Sequence, residues 1–515
     1  MKKQSRGRRG RKGTRVAGQA ETSPVRGGMN SGLIRVLPEG SEAQIHAAAL
    51  DVLENIGLAE APQNILEIVI PAGGYLNDAG RLCFPRGLVE DTIANANRSF
   101  VICGQDPRHD IELSGSRVYF GTGGGTISTV DPQTGEYSKP GIRDLYDYAR
   151  IVDRLDNIHF FQRSATPQDI ESTDDLDINI CYACVRGTSK PVGVSWNHAH
   201  NVSRSLEMFH LIAGSEAKWR ERPFVTQTCA FTVSPLKFAP ESCLSLEASV
   251  RGGLPVQLAS VPQAGATSPV TLAGTIMQSV AESLAGLVFA NLIQPKAKVY
   301  LGLWTLVSDL RTGAMSGGSP EMALLMAGAS QMARYYDLPN AVASGLTDSK
   351  IPDAQAGYEK GCQHTFIANA GGNMIYAAAG VLASITACSN AGLVIDNDII
   401  GMALRTLSGV KVDAEELALE SVRSVNLDGP GHYLRDPLTI ERMKQDFYYP
   451  QVGDRLSPQE WIDSGSLSAV DRAVEIADDI LQTHYPEHIS GKVDAQIRDK
   501  FDILLPYTAT RPAPK

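Results

Sequence analysis

Residues 298–359 read KVYLGLWTLVS (298–308), DLRTGAMSGGSPE (309–321), MALLMAGASQMARYY (322–336), then NAVASGL (340–346) and TDSKIPDAQAGYE (347–359). Two apolar runs of strand length each open into a dense polar loop, and each loop runs into a helix-forming segment. Charged and amide side chains are thereby gathered at the carboxyl ends of successive strands. In parallel β/α proteins that end of the sheet carries the chemistry.

Working outward, the same theme recurs eight times. The spacing predicts strands at 117–123, 159–165, 191–197, 224–230, 255–261, 299–307, 341–346 and 374–380, with amphipathic or buried helices between them and a last helix after the eighth strand. Eight such units across residues 117–409 fit a (β/α)8 TIM barrel, which typically takes about 250 residues. A doubly wound sheet also alternates strands and helices, but has no preference for eight. Residues 31–116 are expected to form a helical N-terminal cap, whose first helix starts at Ser41 as N-cap and stops near Gly57. Residues 410–515 are expected to form a helical C-terminal extension.

With 515 residues and 43% hydrophobic content, the chain can bury a large core. Its 48 glycines exceed the usual share of about 7% and suit many tight strand-to-helix turns. The most apolar stretch, 276–293, is interrupted by Gln278, Ser279, Glu282, Ser283 and Asn291, so it reads as a buried helix and no membrane span is expected. The net charge of -10 hides an asymmetry. Residues 1–28 carry nine Lys or Arg against Glu21 alone, which leaves -18 on the remainder. A basic Gly/Arg-rich segment of this kind, assigned to residues 1–30, is expected to be a solvated, disordered tail without the apolar core of a secretory signal. It could bind nucleic acid or anionic lipid by counterion release, but a solvated arm is the simpler expectation.

The eight cysteines are scattered, which favours reduced thiols and a cytoplasmic location. Cys181 and Cys184 form a CxxC, and His198 and His200 follow fourteen and sixteen residues past Cys184, a set with zinc-ligand chemistry. The cysteines nevertheless lie at i and i+3 of a helical pattern, so packing is expected and no metal site is assigned.

Several motifs together carry a family resemblance: LRTGAMSGGSPE (310–321), TDSKIPDAQAGYEKG (347–361), SVPQAGATSPVTLAGT (260–275) followed by AESLAG (281–286), GPGHYL (429–434) and FYYP (447–450). Over residues 41–485 the chain resembles the trimethylamine methyltransferase family. The resemblance implies a TIM barrel that passes a methyl group from a methylated amine to the cobalt of a separate corrinoid protein. It also implies the branch without pyrrolysine, since only the twenty standard residues occur here; characterised members of that branch act on quaternary amines such as glycine betaine. A quaternary ammonium leaves as a neutral amine, so its demethylation requires orientation and a dry pocket rather than protonation. The chain has no DxHxxG motif, so the cobalamin is expected on a partner protein. A homo-oligomer is a further expectation.

On this footing, Asp348, Gln355 and Glu359 are the candidate catalytic groups. Arg311 suits a substrate carboxylate, with a salt bridge to Asp309 or Glu321 as the competing use. Asp309, Lys350 and Asp353 complete the polar exits, and Asp348 or Asp353 could balance an ammonium charge. Trp196 and Trp304 offer aromatic faces for a quaternary ammonium, provided strand parity turns them inward. Asn197, His198, Gln263 and Glu282 are further substrate-side candidates. The glycine run Gly123, Gly124 and Gly125 fits no phosphate-loop pattern and is expected to face the corrinoid. Two rival functions stand beside this one: a Schiff-base lyase using Lys350, and a betaine-binding protein without catalysis.

Overall fold

The computed structural model describes residues 23–512. Its centre is a curled sheet whose parallel strands are β1 (Arg117–Phe120), β2 (Phe161–Gln162), β3 (Val192–Val194), β4 (Val225–Cys229), β5 (Val256–Ser260), β6 (Val299–Leu303), β7 (Asn340–Ala343) and β8 (Met374–Tyr376). Neighbours run β2-β3-β4-β5-β6-β7-β8-β1, all parallel. The two ends of that series also meet, through a parallel bridge between Gly121 and Phe160 and a 2.7 Å bond from the His159 N–H to the Phe120 carbonyl. A ninth strand, Met29–Asn30, pairs antiparallel with β1. The fold is therefore α/β, built around one curled nine-strand sheet.

Side chains meeting across the interior confirm the curl. The Tyr300 and Tyr376 hydroxyls lie 2.8 Å apart although β7 separates their strands, and Thr228 donates to Gln162 at 3.2 Å across β3. The rings of Phe160 and Tyr376 stand 4.8 Å apart across β1. Alternate strands filling a shared interior layer is how small β/α cores close without a void. Strands β5 and β6 are buried at every residue, as a sheet covered on both faces demands.

Each strand is followed by its helix: α1 (Ile142–Asp153), α2 (Thr173–Gly187), α3 (Ala199–Ala213), α4 (Pro240–Arg251), α5 (Leu272–Ile293), α6 (Pro320–Tyr335), α7 (Ala354–Ala370) and α8 (Asn390–Leu407). Helix α5 is long and apolar enough to cross a membrane by length and composition, yet 78% of its apolar window is buried. The cause is packing on both sides. It lies against β5 and β6 inside, and helices Ser41–Asp51, Gln63–Val69 and Arg86–Asn95 cover it outside. A helix enclosed in this way is apolar all round.

Several sequence expectations shift. The strands are shorter than their windows because the windows ran into the exit loops; 191–197, for example, contracts to Val192–Val194. The cap region also contains two short antiparallel pairs, Tyr75–Leu76 with Leu82–Cys83 and Phe100–Ile102 with Ile111–Leu113. Ser41 is the first helical residue, and Gly40 at φ 80° takes the N-cap position. Residues 1–22, with most of the basic tail, lie outside the described residues. From residue 23 onward the assigned tail is placed, with Val25 buried and Met29–Asn30 in the sheet. In the C-terminal region, helix Ala469–Thr483 packs on α8 and α1, whereas Leu419–Arg423, Pro437–Gln445 and Pro458–Asp463 bury none of their own residues.

Candidate functional site

The exits of β6, β7 and β8 converge on one carboxylate. Asp348 accepts the Gly317 N–H at 2.7 Å, the Gly318 N–H at 3.1 Å and the Ser316 hydroxyl at 3.2 Å, all from the β6 exit, together with the Ser384 hydroxyl from the β8 exit. Glu359, on α7, accepts from the Thr347 hydroxyl, from the Asp348 N–H at 2.9 Å and from the Gln355 amide at 2.9 Å. Gly318 leaves room for it, since a Cβ there would stand 2.2 Å from the Glu359 carboxyl carbon and force that side chain to move. Ser319 caps α6 with Pro320 in its first turn, and Asp353 caps α7 by accepting from Ala356 and from Ser349. The sequence places these residues together because strand, polar loop and capped helix follow one another without slack.

The same geometry decides how the other candidates are used. Arg311 is 88% exposed and grips Asp309 through two bonds of 2.8 and 3.0 Å. That grip, with the Arg311 backbone N–H, holds the Asp309 carboxyl down to about 2. Lys350 is exposed and donates to the Asp348 carbonyl. Glu282, fully buried on α5, accepts from Ser234, Ser260, Gln278 and the Leu236 N–H, tying the β4 and β5 exits. Gln263 forms a short parallel pair with Leu306 beyond β5 and β6, and its side-chain amide has no hydrogen-bond partner among the described residues.

Trp304 and Trp196 part company. Trp304 packs inside the curl, its ring 5.7 Å from Tyr376 two strands away. Its indole N–H is buried without a partner, as is the side-chain amide nitrogen of Gln257, whose oxygen accepts from Thr228. Trp196 instead donates to Ser205 on α3, so it belongs to the helix layer. Asn197 is exposed and donates to Asp177, and His198 meets Thr173 at 3.0 Å while stacking on His200. The glycine run ends β1 with Gly124 at φ 114° and Gly125 at φ 54°, while a Cβ on Gly123 would come 3.1 Å from the Ala377 nitrogen.

The zinc set does not assemble. Cys181 and Cys184 are buried in α2, burial pushes the Cys181 thiol up to about 12, and the Cys184 thiol also rises. His200 is paired with Asp174. Among the described residues there is no group of three or more His, Cys, Asp or Glu able to hold a metal ion.

The sequence matches the family described as trimethylamine methyltransferase (MTTB) over residues 4–503. The chain belongs to the trimethylamine methyltransferase family. Curated members similar to it include the trimethylamine methyltransferase MttB of Desulfitobacterium hafniense, 34% identical over 88% of this chain and 90% of its own length. The MttB of Methanosarcina thermophila is 31% identical over 87% of this chain and 93% of its own, and a glycine betaine methyltransferase of D. hafniense is 29% identical over 90% and 95%. Among solved structures, the Methanosarcina barkeri monomethylamine methyltransferase superposes with a TM-score of 0.49 at 12% identity, covering 90% of this chain and 88% of its own. The protein is thus a methyltransferase of the trimethylamine and betaine type, and the Schiff-base lyase alternative on Lys350 falls away.

Two residues, one at a strand exit and one on a helix against two exits, escaped the sequence argument. His364 on α7 is buried between the Ser344 hydroxyl and the Ala378 carbonyl, and burial brings its pKa down to about 3, so the ring stays neutral. Arg163 follows β2 and was absorbed into a strand window. Its position just past the carboxyl end of a strand was the available signal.

Proposed function

We propose that the curled sheet is a closed (β/α)8 barrel that demethylates a small quaternary amine of the glycine betaine class, in the cytoplasm, with the corrinoid of a separate protein as methyl acceptor. The observation that carries this is the state of the carboxylates. Asp348, Glu359, Asp353, Asp309 and Glu282 are each engaged by protein donors. Such groups frame a site well and serve poorly as proton donors or bases. A quaternary ammonium needs neither, because its leaving group departs as a neutral amine.

What the reaction does ask of this chain is alignment of one methyl–nitrogen bond with the approaching acceptor, and exclusion of water. The interior supplies an aromatic wall of Trp304, Tyr376, Tyr300 and Phe160, against which a desolvated cation gains about 2 kcal/mol. Gln257 and Trp304 add buried donors for an oxygen atom of the same substrate. Asp348, Glu359 and Gln355 act as positioning residues that hold the β6, β7 and β8 exits. The corrinoid supplies a cobalt nucleophile when its carrier docks. The side-chain-free run Gly123, Gly124 and Gly125 suits the approach of so broad a group.

The deciding experiment is anaerobic methylation of Co(I) cobalamin, free and on the cognate corrinoid protein, followed spectroscopically with a panel of quaternary and tertiary methylamines. Turnover confined to quaternary amines supports the proposal. Turnover with trimethylamine alone refutes the substrate class, and silence with both acceptors in the presence of tight amine binding points to a binding protein.

A further inference from the structure

Arg163 stands just past β2, half-buried, and its guanidinium enters no hydrogen bond or ion pair among the described residues. Several other enclosed arginines of this chain are engaged, although Arg334 also lacks a side-chain partner. Arg150 bonds Asp147 and the carbonyls of Leu481 and His484, and Arg498 bonds Asp494, the Tyr182 hydroxyl and the Leu505 carbonyl. A guanidinium carries five donors in a planar fork, and those of Arg163 are not sealed from solvent, so the fork is open to an incoming acceptor.

Its surroundings offer the fork no free acceptor, although the Asp177 charge acts on it from α2. Asp177, the carboxylate across from it on α2, is saturated by the Asn197 N–H and amide, the His198 N–H and the Asn201 amide. Cys181 and Cys184 on α2 also face it and stay neutral as thiols. On the β1 side the Gly125 backbone comes close: a Cβ there would fall 2.9 Å from Arg163 Nη2. A fork without hydrogen-bond partners therefore lies between the β1 and β2 exits, remote from the Asp309–Arg311 pair that the sequence singled out.

We propose that Arg163 is an oxyanion receptor at the barrel mouth, binding the paired oxygens of a carboxylate or phosphodiester carried by one of the two reactants. This rests on the methyl-transfer reaction proposed above, which offers two sources of that chemistry: the carboxylate of a betaine, and the phosphodiester in the nucleotide loop of cobalamin. Either would accept both arms of the fork, which a lysine cannot reproduce.

The test is equilibrium binding, which needs no turnover and so fails separately from the proposed reaction. The full-length protein, R163Q and R163K are titrated with glycine betaine, with choline as its carboxylate-free counterpart, with cobalamin, and with cobinamide, which lacks the phosphodiester. R163Q should weaken one anionic ligand by about tenfold to a hundredfold while leaving its uncharged-end counterpart unchanged. R163K should recover only part of that loss. A loss for glycine betaine assigns the fork to the substrate, and a loss for cobalamin assigns it to the acceptor. Thermal unfolding checks that each variant folds; should R163Q fail, the R163K comparison alone decides. Unchanged discrimination within both ligand pairs overturns the proposal.

Discussion

Replacing Asp348 by Asn separates a structural tie from a substrate counter-ion. One carboxylate oxygen receives Gly317 N–H and Ser384, and the other receives Gly318 N–H and Ser316. An amide keeps one oxygen, so whichever way it turns, its NH2 meets one of the two glycine N–H donors. The serine hydroxyl beside it can rotate to accept, but the glycine N–H cannot. One orphaned N–H and the loss of charge assistance on the remaining bonds cost about 2–3 kcal/mol of local stability. At 1.36 kcal/mol per decade, opening of the β6 and β7 exits rises by roughly 30- to 150-fold. Exposed Arg311 and Lys350 make trypsin a direct reporter, since cleavage follows the open population when reclosing is fast. D348N should be cut at these two sites faster by that factor, with KM for the amine little changed. Cleavage at the wild-type rate together with a KM raised tenfold or more would show that Asp348 serves the ammonium, and the tie argument would be wrong.

Lys360 and Asp396 form a 2.6 Å pair with both side chains 2% exposed, so K360M should strand a buried carboxylate and cost about 3–5 kcal/mol in urea unfolding; an unchanged midpoint would contradict this. W304F removes a buried N–H that has no partner, so the ligand-free protein should gain about 1 kcal/mol, while affinity for the quaternary amine should fall. A destabilised W304F with full affinity would place that N–H in a role other than substrate binding. Burial would raise the Asp153 carboxyl, but hydrogen bonds from His484, Ser189 and Thr188 and the charge of Lys190 pull it well below its ordinary value. Its stabilisation is therefore complete above pH ~4 and lost as pH falls below it. D153N should be less stable at neutral pH and show a shallower loss of stability through the acid range, measured by unfolding at stepped pH; parallel profiles would refute this.

The alternation of strand and helix was legible because buried strands such as Val299–Leu303 are apolar throughout, and even Val256–Ser260 carries only Gln257 and Ser260 as polar residues. Strand ends were harder, since hydrophobicity persists past the last ladder bond, as in 191–197. Parity was not legible at all for the tryptophans. Trp196 lies beyond β3 on the side of Val194, and only the contact with Ser205 on α3 shows that this side faces the helices. The polar residues at 309–321 and 347–359 were legible as strand-exit groups, but the bonds they make were only partly so. The pairing of Arg311 with Asp309, two residues away, was one of the uses the sequence offered, whereas the tie from Asp348 to two other exits depends on groups far apart in the chain. Arg163 is the converse case, because what marks it is a missing partner, which no local pattern records.

The convergence of three strand exits on Asp348 limits how this enzyme can acquire new substrates. In many β/α enzymes each exit loop can be lengthened or exchanged independently, and diversity accumulates one loop at a time. Here a change of length in the β6, β7 or β8 exit displaces a donor and loosens the other two, so single-loop variants should be lost in selection before their chemistry is sampled. New specificities should instead arise by point substitution at interior positions outside the knot, such as Trp304 and Gln257, or by remodelling the β1 and β2 exits. A library confined to those positions should yield more folded members than one built on residues 309–319.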